Sequence, residues 1–135
     1  MMKAAVDAAT KAAQKIKIQK PLIVGVTVLT SDSKKDSIHP LVLERAHLAK
    51  QAGLDGVVAS PQEAKMIRQE FGNDFVIVTP GIRPAGAEAG DQKRIATPAE
   101  AIHSGSNYLV VGRPIIEAKD PLTAAKDIIK EINNL

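Results

Sequence analysis

The sequence predicts a parallel α/β protein, and three observations lead there. Four short runs rich in Val, Ile and Leu are spaced along the 135 residues, helical patterns lie between them, and no hairpin signal such as Asn-Gly joins one run to the next. Strands that alternate with helices run parallel, because each helix carries the chain back to the edge where the next strand begins.

The chain opens on a helical pattern in which Met2, Val6, Ala9, Ala13 and Ile16 recur at three- and four-residue spacing. The first apolar run follows at Leu22–Leu29 (LIVGVTVL), and a second helical line passes through Val42, Ala46, Ala49 and Ala52. The second run is Asp55–Ser60 (DGVVAS). It leads into Ser60-Pro-Gln-Glu63, which reads as an N-cap, a first-turn proline and a glutamate that closes a capping box. After the third run, Phe75–Thr79 (FVIVT), the same signature returns as Thr97-Pro-Ala-Glu100. The fourth run is Asn107–Gly112 (NYLVVG). Asp120-Pro121 then opens a last helix whose apolar line passes through Leu122, Ala125, Ile128 or Ile129, and Ile132. None of the four runs alternates with polar residues, which predicts strands buried on both faces.

Composition narrows the class. A 44% hydrophobic and 24% charged chain of this length fits one soluble globular unit, here residues 1–135. The absence of cysteine excludes a disulfide framework and any thiolate metal site, and it fits a reducing, cytoplasmic setting. The longest apolar run, near Leu22–Leu29, is too short to span a bilayer, and no signal-peptide pattern opens the chain, so no membrane partner is expected. With aromatics at 2% there is almost nothing to stack bases on, which argues against nucleic acid. A mild net charge of +3 suits a phosphate-bearing small molecule better.

In parallel α/β proteins ligands sit at the carboxyl ends of the strands. Those ends carry Thr30-Ser31, Ser60-Pro61, Thr79 to Arg83, and Gly112-Arg113, whereas the opposite connections hold turn residues such as Ala52-Gly53 and Gly105. In Gly112-Arg113-Pro114, a glycine that admits close backbone approach precedes a guanidinium able to grip phosphate oxygens. The bland alternative is a turn glycine before a surface arginine. Gly81-Ile-Arg83-Pro84 repeats the theme on the preceding strand, and two such turns on adjacent strand ends favour an anion site. Between them runs TPGIRPAGAEAGDQKRIATP, residues 79–98, too rich in Gly and Pro for an element and too rich in Arg, Gln and Lys for an idle linker. Taken alone, Gln92 reads as a solvated loop residue and Thr30 as a strand terminator. His39, His47 and His103 show no ligand spacing with a carboxylate partner, so they read as surface or helix-flank residues and no metal site is expected.

A closed (β/α)8 barrel needs eight strand–helix units and typically about 250 residues. Four units preceded by a helix leave two architectures: a small open α/β sheet or half of a barrel. Five blocks decide between them. Val26-Thr-Val-Leu-Thr-Ser31, Gly53-Leu-Asp-Gly-Val-Val-Ala-Ser-Pro-Gln-Glu-Ala64, Thr79-Pro-Gly-Ile-Arg-Pro84, Asp91-Gln-Lys-Arg94 and Tyr108-Leu-Val-Val-Gly-Arg-Pro-Ile115 together resemble the orotidine 5′-phosphate decarboxylase family in its bacterial form. The blocks run in the family's order and cover nearly the whole chain.

The resemblance implies a fold, a reaction and a set of site residues. The fold is about half of a (β/α)8 TIM-type barrel, strands 5–8 preceded by one helix, with Met1-Met2 matching a pair common in the helix after the fourth strand. The reaction converts orotidine 5′-monophosphate to uridine 5′-monophosphate and CO2 in pyrimidine biosynthesis, with no cofactor and in a homodimer. Thr30 resembles the substrate-contacting threonine at the end of the fifth strand. Arg83 and Gln92 resemble the arginine and glutamine of the loop after the seventh strand, which reach the nucleotide. Gly112 and Arg113 resemble the phosphate-gripping pair after the eighth.

The family's chemistry also depends on an Asp-x-Lys-x-x-Asp segment whose lysine protonates the carbon that loses CO2. These 135 residues contain no such segment. Asp32-Ser-Lys-Lys-Asp36 has the wrong spacing and follows the wrong strand, so it reads as a solvated charge run. The segment from Ser31 to Leu41 is also shorter than in many relatives. The resulting expectation is nucleotide binding without turnover by the chain alone, with no catalytic residue within it. Four units would leave two open sheet edges, which predicts self-association. The alternative is a non-catalytic phosphate-binding half-barrel that assembles with itself or with a separate N-terminal half.

Overall fold

Each apolar run becomes a strand and each periodic segment a helix. The computed structural model describes residues 1–28, 38–84 and 94–134. Helix α1 (Met2–Ile16) precedes strand β1 (Val24–Val26). Helix α2 (Ile38–Gln51), strand β2 (Gly56–Val58), helix α3 (Pro61–Phe71) and strand β3 (Val76–Thr79) follow, then helix α4 (Pro98–His103) and strand β4 (Tyr108–Leu109). A one-turn helix, α5 (Arg113–Ile116), stands where the sequence suggested a turn, and α6 (Pro121–Asn133) ends the order.

The helix ends follow local chemistry. Thr97 accepts the Glu100 N–H while the Glu100 carboxylate accepts the Thr97 N–H, a complete capping box. The Asp120 carboxylate accepts from the Leu122 and Thr123 amides and opens α6. Helix α1 stops at Lys17, whose left-handed backbone (φ 55°) turns the chain toward β1. The expected capping box at Ser60 does not form. Ser60 makes no side-chain cap to the helix backbone; its hydroxyl donates to the Glu63 carboxylate instead.

All strand pairs are parallel and the sheet order is β1-β2-β3-β4, with no reversal. A doubly wound sheet reverses its order at a switch point and places helices on both faces. An order that advances one way keeps the helices in one layer, and here α2 packs on α3, α3 on α4, and α4 on α6. Of the two architectures left open, a small open α/β sheet and half of a barrel, the one-way order agrees with the second: the winding is that of a (β/α)8 barrel.

The core lies between this helix layer and the sheet. Val57 and Ile77 on the strands, and Ala59 just beyond β2, meet Val42, Ala46, Ala49, Ala64 and Ile67 on the helices, all nearly inaccessible to water. Of the two isoleucines proposed for the last helix, Ile128 is buried and Ile129 exposed. Gly56 is needed for packing, because a Cβ there would lie 2.0 Å from the Val76 carbonyl oxygen.

The opposite sheet face differs. Val26, Val58, Val78 and Tyr108 are successive register partners, so they form one row across the four strands. Val58 and Val78 are half-buried, while Val26 and Tyr108 on the outer strands are 61% and 54% exposed. Burial on both faces, predicted for all four runs, therefore fails for β1 and β4. Each of them has one strand neighbour, and no described helix covers this row.

Candidate functional site

Parallel pairing brings the four strand ends to one rim. Thr79 of β3 pairs with Leu109 of β4. Arg83 and Arg113 each lie four residues beyond these partners (79 to 83, 109 to 113), so the two Gly/Arg turns stand on adjacent strand ends. Thr30 and Gln92 lie outside the described residues, as does the Asp32–Asp36 charge run.

The segment leaving β3 is stitched to the segment entering α4. Ile82 and Ala96 form a parallel bridge, the Arg83 amide donates to the Ala96 carbonyl at 2.9 Å, and the Ala96 amide donates to Gly81 at 3.4 Å. Gly81 makes the turn with φ 78°, a conformation that favours glycine. Ile82 is fully buried and Arg83 is 8% exposed, with one guanidinium nitrogen donating to the Ile82 carbonyl at 2.8 Å. The sequence-predicted arginine is thus a buried side chain with a backbone partner rather than a solvated one.

Gly112 and Arg113 sit at the start of α5. Gly112 is exposed and has φ −105° and ψ −96°, and a Cβ added there would meet no described atom within 4 Å. No described contact demands glycine at this position, unlike Gly56. An open backbone beside a half-buried Arg113 is the arrangement that lets an anion approach the chain closely.

The structure adds a cluster that sequence reasoning missed. Glu63 in the first turn of α3 is 1% exposed and Arg94 is 6% exposed, and they form an ion pair of 2.7 Å. The second Glu63 oxygen accepts from the Ser60 hydroxyl, itself fully buried. His39 stands at the cluster's outer side, its Nε2 3.9 Å from Glu63. Ser60-Pro-Gln-Glu63 carried a capping-box signal, and such a glutamate normally faces water. Only an arginine 31 residues away, inward-turned, makes its burial tenable. His39, His47 and His103 are all exposed side chains, as read from the sequence. Among the described residues no group of three His, Asp or Glu is placed to hold a metal.

A one-way parallel sheet with an arginine four residues beyond each of its last two paired strand ends defines the class: part of a (β/α)8 barrel, a fold whose anion sites commonly follow strands 7 and 8. Within that class, the chain belongs to the orotidine 5′-phosphate decarboxylase / HUMPS family, whose model matches residues 1–128. Orotidine 5′-phosphate decarboxylase of Actinobacillus pleuropneumoniae is 53% identical over 80% of this chain and 50% of its own length. That of Moorella thermoacetica is 48% identical over 98% of this chain and 56% of its own. The crystal structure of orotidine 5′-phosphate decarboxylase from Lactobacillus acidophilus superposes with a TM-score of 0.80 at 39% identity, covering 98% of this chain and 58% of that one. The chain spans about half the length of the curated relatives it matches, as half of a barrel does.

Proposed function

We propose that the chain is the nucleotide- and phosphate-binding half of an orotidine 5′-phosphate decarboxylase, which converts orotidine 5′-monophosphate to uridine 5′-monophosphate and CO2. The observation that carries this reading is the placement of Arg83 and Gly112-Arg113 on adjacent strand ends of one rim. In this reading Arg113 and the open Gly112 backbone grip the phosphate, Arg83 and Gln92 meet the nucleotide, and Thr30 contacts it from the β1 side. These residues bind and orient. The family's proton donor lies in the Asp-x-Lys-x-x-Asp segment, which is not among these 135 residues. Loss of such an acid–base and electrostatic centre lowers rates by orders of magnitude. The chain alone therefore binds without turnover, and the reaction belongs to an assembly that supplies the segment. A cytoplasmic setting and a homodimeric whole enzyme are part of the same proposal. The cysteine-free composition supports the first, and no helix among the described residues is long and apolar enough to cross a membrane.

Calorimetry with uridine 5′-monophosphate, alongside a CO2-release assay on orotidine 5′-monophosphate, tests the proposal. Binding with no release agrees with it. Release of CO2 by the purified 135-residue chain contradicts it, and so does absence of nucleotide binding.

A second reading is favoured by the uncovered row of Val26, Val58, Val78 and Tyr108. Apolar residues facing the inside of a barrel need strands opposite them. A non-catalytic half-barrel that pairs with a second copy or with a separate N-terminal half would supply those strands. Light scattering on the dilute chain separates the two, since a clean monomer removes self-pairing.

A further inference from the structure

The Glu63–Arg94 pair lies outside the set of nucleotide-binding residues, yet it joins two elements of the same rim. Glu63 belongs to the helix after β2, and Arg94 to the segment that returns toward α4. From Arg94 the connection is short: two residues on, Ala96 bridges Ile82 and accepts the Arg83 amide at 2.9 Å. Ser60, fully buried, donates to the second carboxylate oxygen and so sets the rotation of the Glu63 carboxylate.

A buried ion pair gains little net stability over well-packed apolar residues of equal volume, because both charges lose their hydration. What it does supply is direction: a guanidinium opposite a fixed carboxylate has few acceptable poses. We propose that Glu63 and Arg94 are positioning residues that hold the Ile82–Arg83 turn in register with β2, and thereby fix Arg83 at the rim for a phosphate-bearing nucleotide. The purpose assigned to Arg83 rests on the nucleotide reading above; the mechanical link from Glu63 to the Arg83 amide does not.

The test uses the 135-residue chain and two variants. The double substitution Glu63→Leu/Arg94→Met removes both charges together and keeps an apolar volume, and Glu63→Gln alone replaces the carboxylate by a carboxamide and takes the same readout should the double variant not fold. Hydrogen exchange is read at the Arg83 and Ala96 amides and, as an internal control, at Ile77 in the middle of β3. Affinity for uridine 5′-monophosphate is measured in parallel. With global unfolding of the double variant close to the parent, the expected result is at least about tenfold faster exchange at Arg83 and Ala96, unchanged exchange at Ile77, and affinity reduced by about fivefold or more. A purely structural pair gives the opposite result: the stable double variant keeps both the protection and the affinity, which overturns the proposal. Failure of both variants to fold assigns the pair to stability alone and overturns it as well. If the parent chain does not bind the nucleotide, the proposed function fails. Faster exchange at Arg83 would still establish the positioning link.

Discussion

The two rims of the sheet use arginine in opposite ways. On the rim where the strands begin, Arg68 at the end of α3 donates to the carbonyls of Gly72, Phe75 and Gly105 and to the Asn107 side chain, whose oxygen also accepts the Ile77 amide. Beside it, Asp55 accepts from Lys20 and from the Ile23 amide at 2.7 Å, tying the entries of β1 and β2 together. These groups join backbone to backbone. On the rim where the strands end, Arg83 and Arg113 follow strand ends, with Gly81 two residues before one and Gly112 just before the other, and Arg94, on the approach to α4, pairs with Glu63. The difference teaches that position along the strand direction, rather than residue type, separates an arginine that ties strand entries together from one placed on the proposed binding rim.

The strongest way to break that contrast is Arg68→Ala. Four polar acceptors at the strand-entry rim lose a charged donor, so denaturant unfolding should show a loss of about 3 kcal/mol. Affinity for uridine 5′-monophosphate should stay within about twofold, because distant sites act nearly independently. A large affinity loss with little change in stability would invert the assignment of the rims.

Arg113→Ala is the mirror experiment. Calorimetry should show about 2 kcal/mol less binding free energy, roughly thirtyfold in affinity, from the loss of charge-assisted bonds to phosphate. Stability should change less than in Arg68→Ala, which strips four acceptors of a charged donor.

Thr97→Ala extends the comparison by removing a helix cap from the rim where the strands end. Loss of the Thr97–Glu100 capping box should cost about 1 kcal/mol in denaturant unfolding, and Thr97→Ser should restore it. The Glu100 carboxyl is held below its ordinary value by the Thr97 amide and then by the Thr97 hydroxyl. Carboxylate titration by NMR should therefore move Glu100 back up in the alanine variant.

The smallest effect concerns pH at the strand-entry rim. Partial burial raises the Asp55 value, but the Ile23 amide and Lys20 outweigh it and hold the carboxyl below its ordinary 3.8. A depressed folded value means stability that is present above the ordinary value and lost as pH falls through the folded one. The side chain is 26% exposed, and after solvent screening the contribution is about 0.5 kcal/mol. Asp55→Asn should accordingly be about 0.5 kcal/mol less stable than the parent near neutrality, and acid unfolding should show the two converging as pH falls below 4.

Much of this was legible in the residues because it is local. Apolar runs without polar alternation mark strands, and Thr97-Pro-Ala-Glu100 and Asp120-Pro121 each open a helix as read. Arg83 and Gly112-Arg113 could be assigned to the rim where the strands end because a parallel sheet maps chain direction onto space. Ser60-Pro-Gln-Glu63 misled, since its local signal is that of a capping box while its carboxylate serves a residue far along the chain. Burial of β1 and β4 was also overestimated. Composition reports how apolar a strand is, but its neighbours decide how much of it is covered.

The sequence by itself determined the alternation of elements, their parallel direction, the rim on which Arg83 and Arg113 stand and the family, all from patterns within a few residues of one another. Only the tertiary structure decided that the sheet winds one way, that one of its faces is an uncovered apolar row, and that Glu63 turns inward to meet Arg94. Each of these depends on which distant segments become neighbours. A charge is tolerated in the interior only once its partner has arrived there, and no local pattern records that arrival.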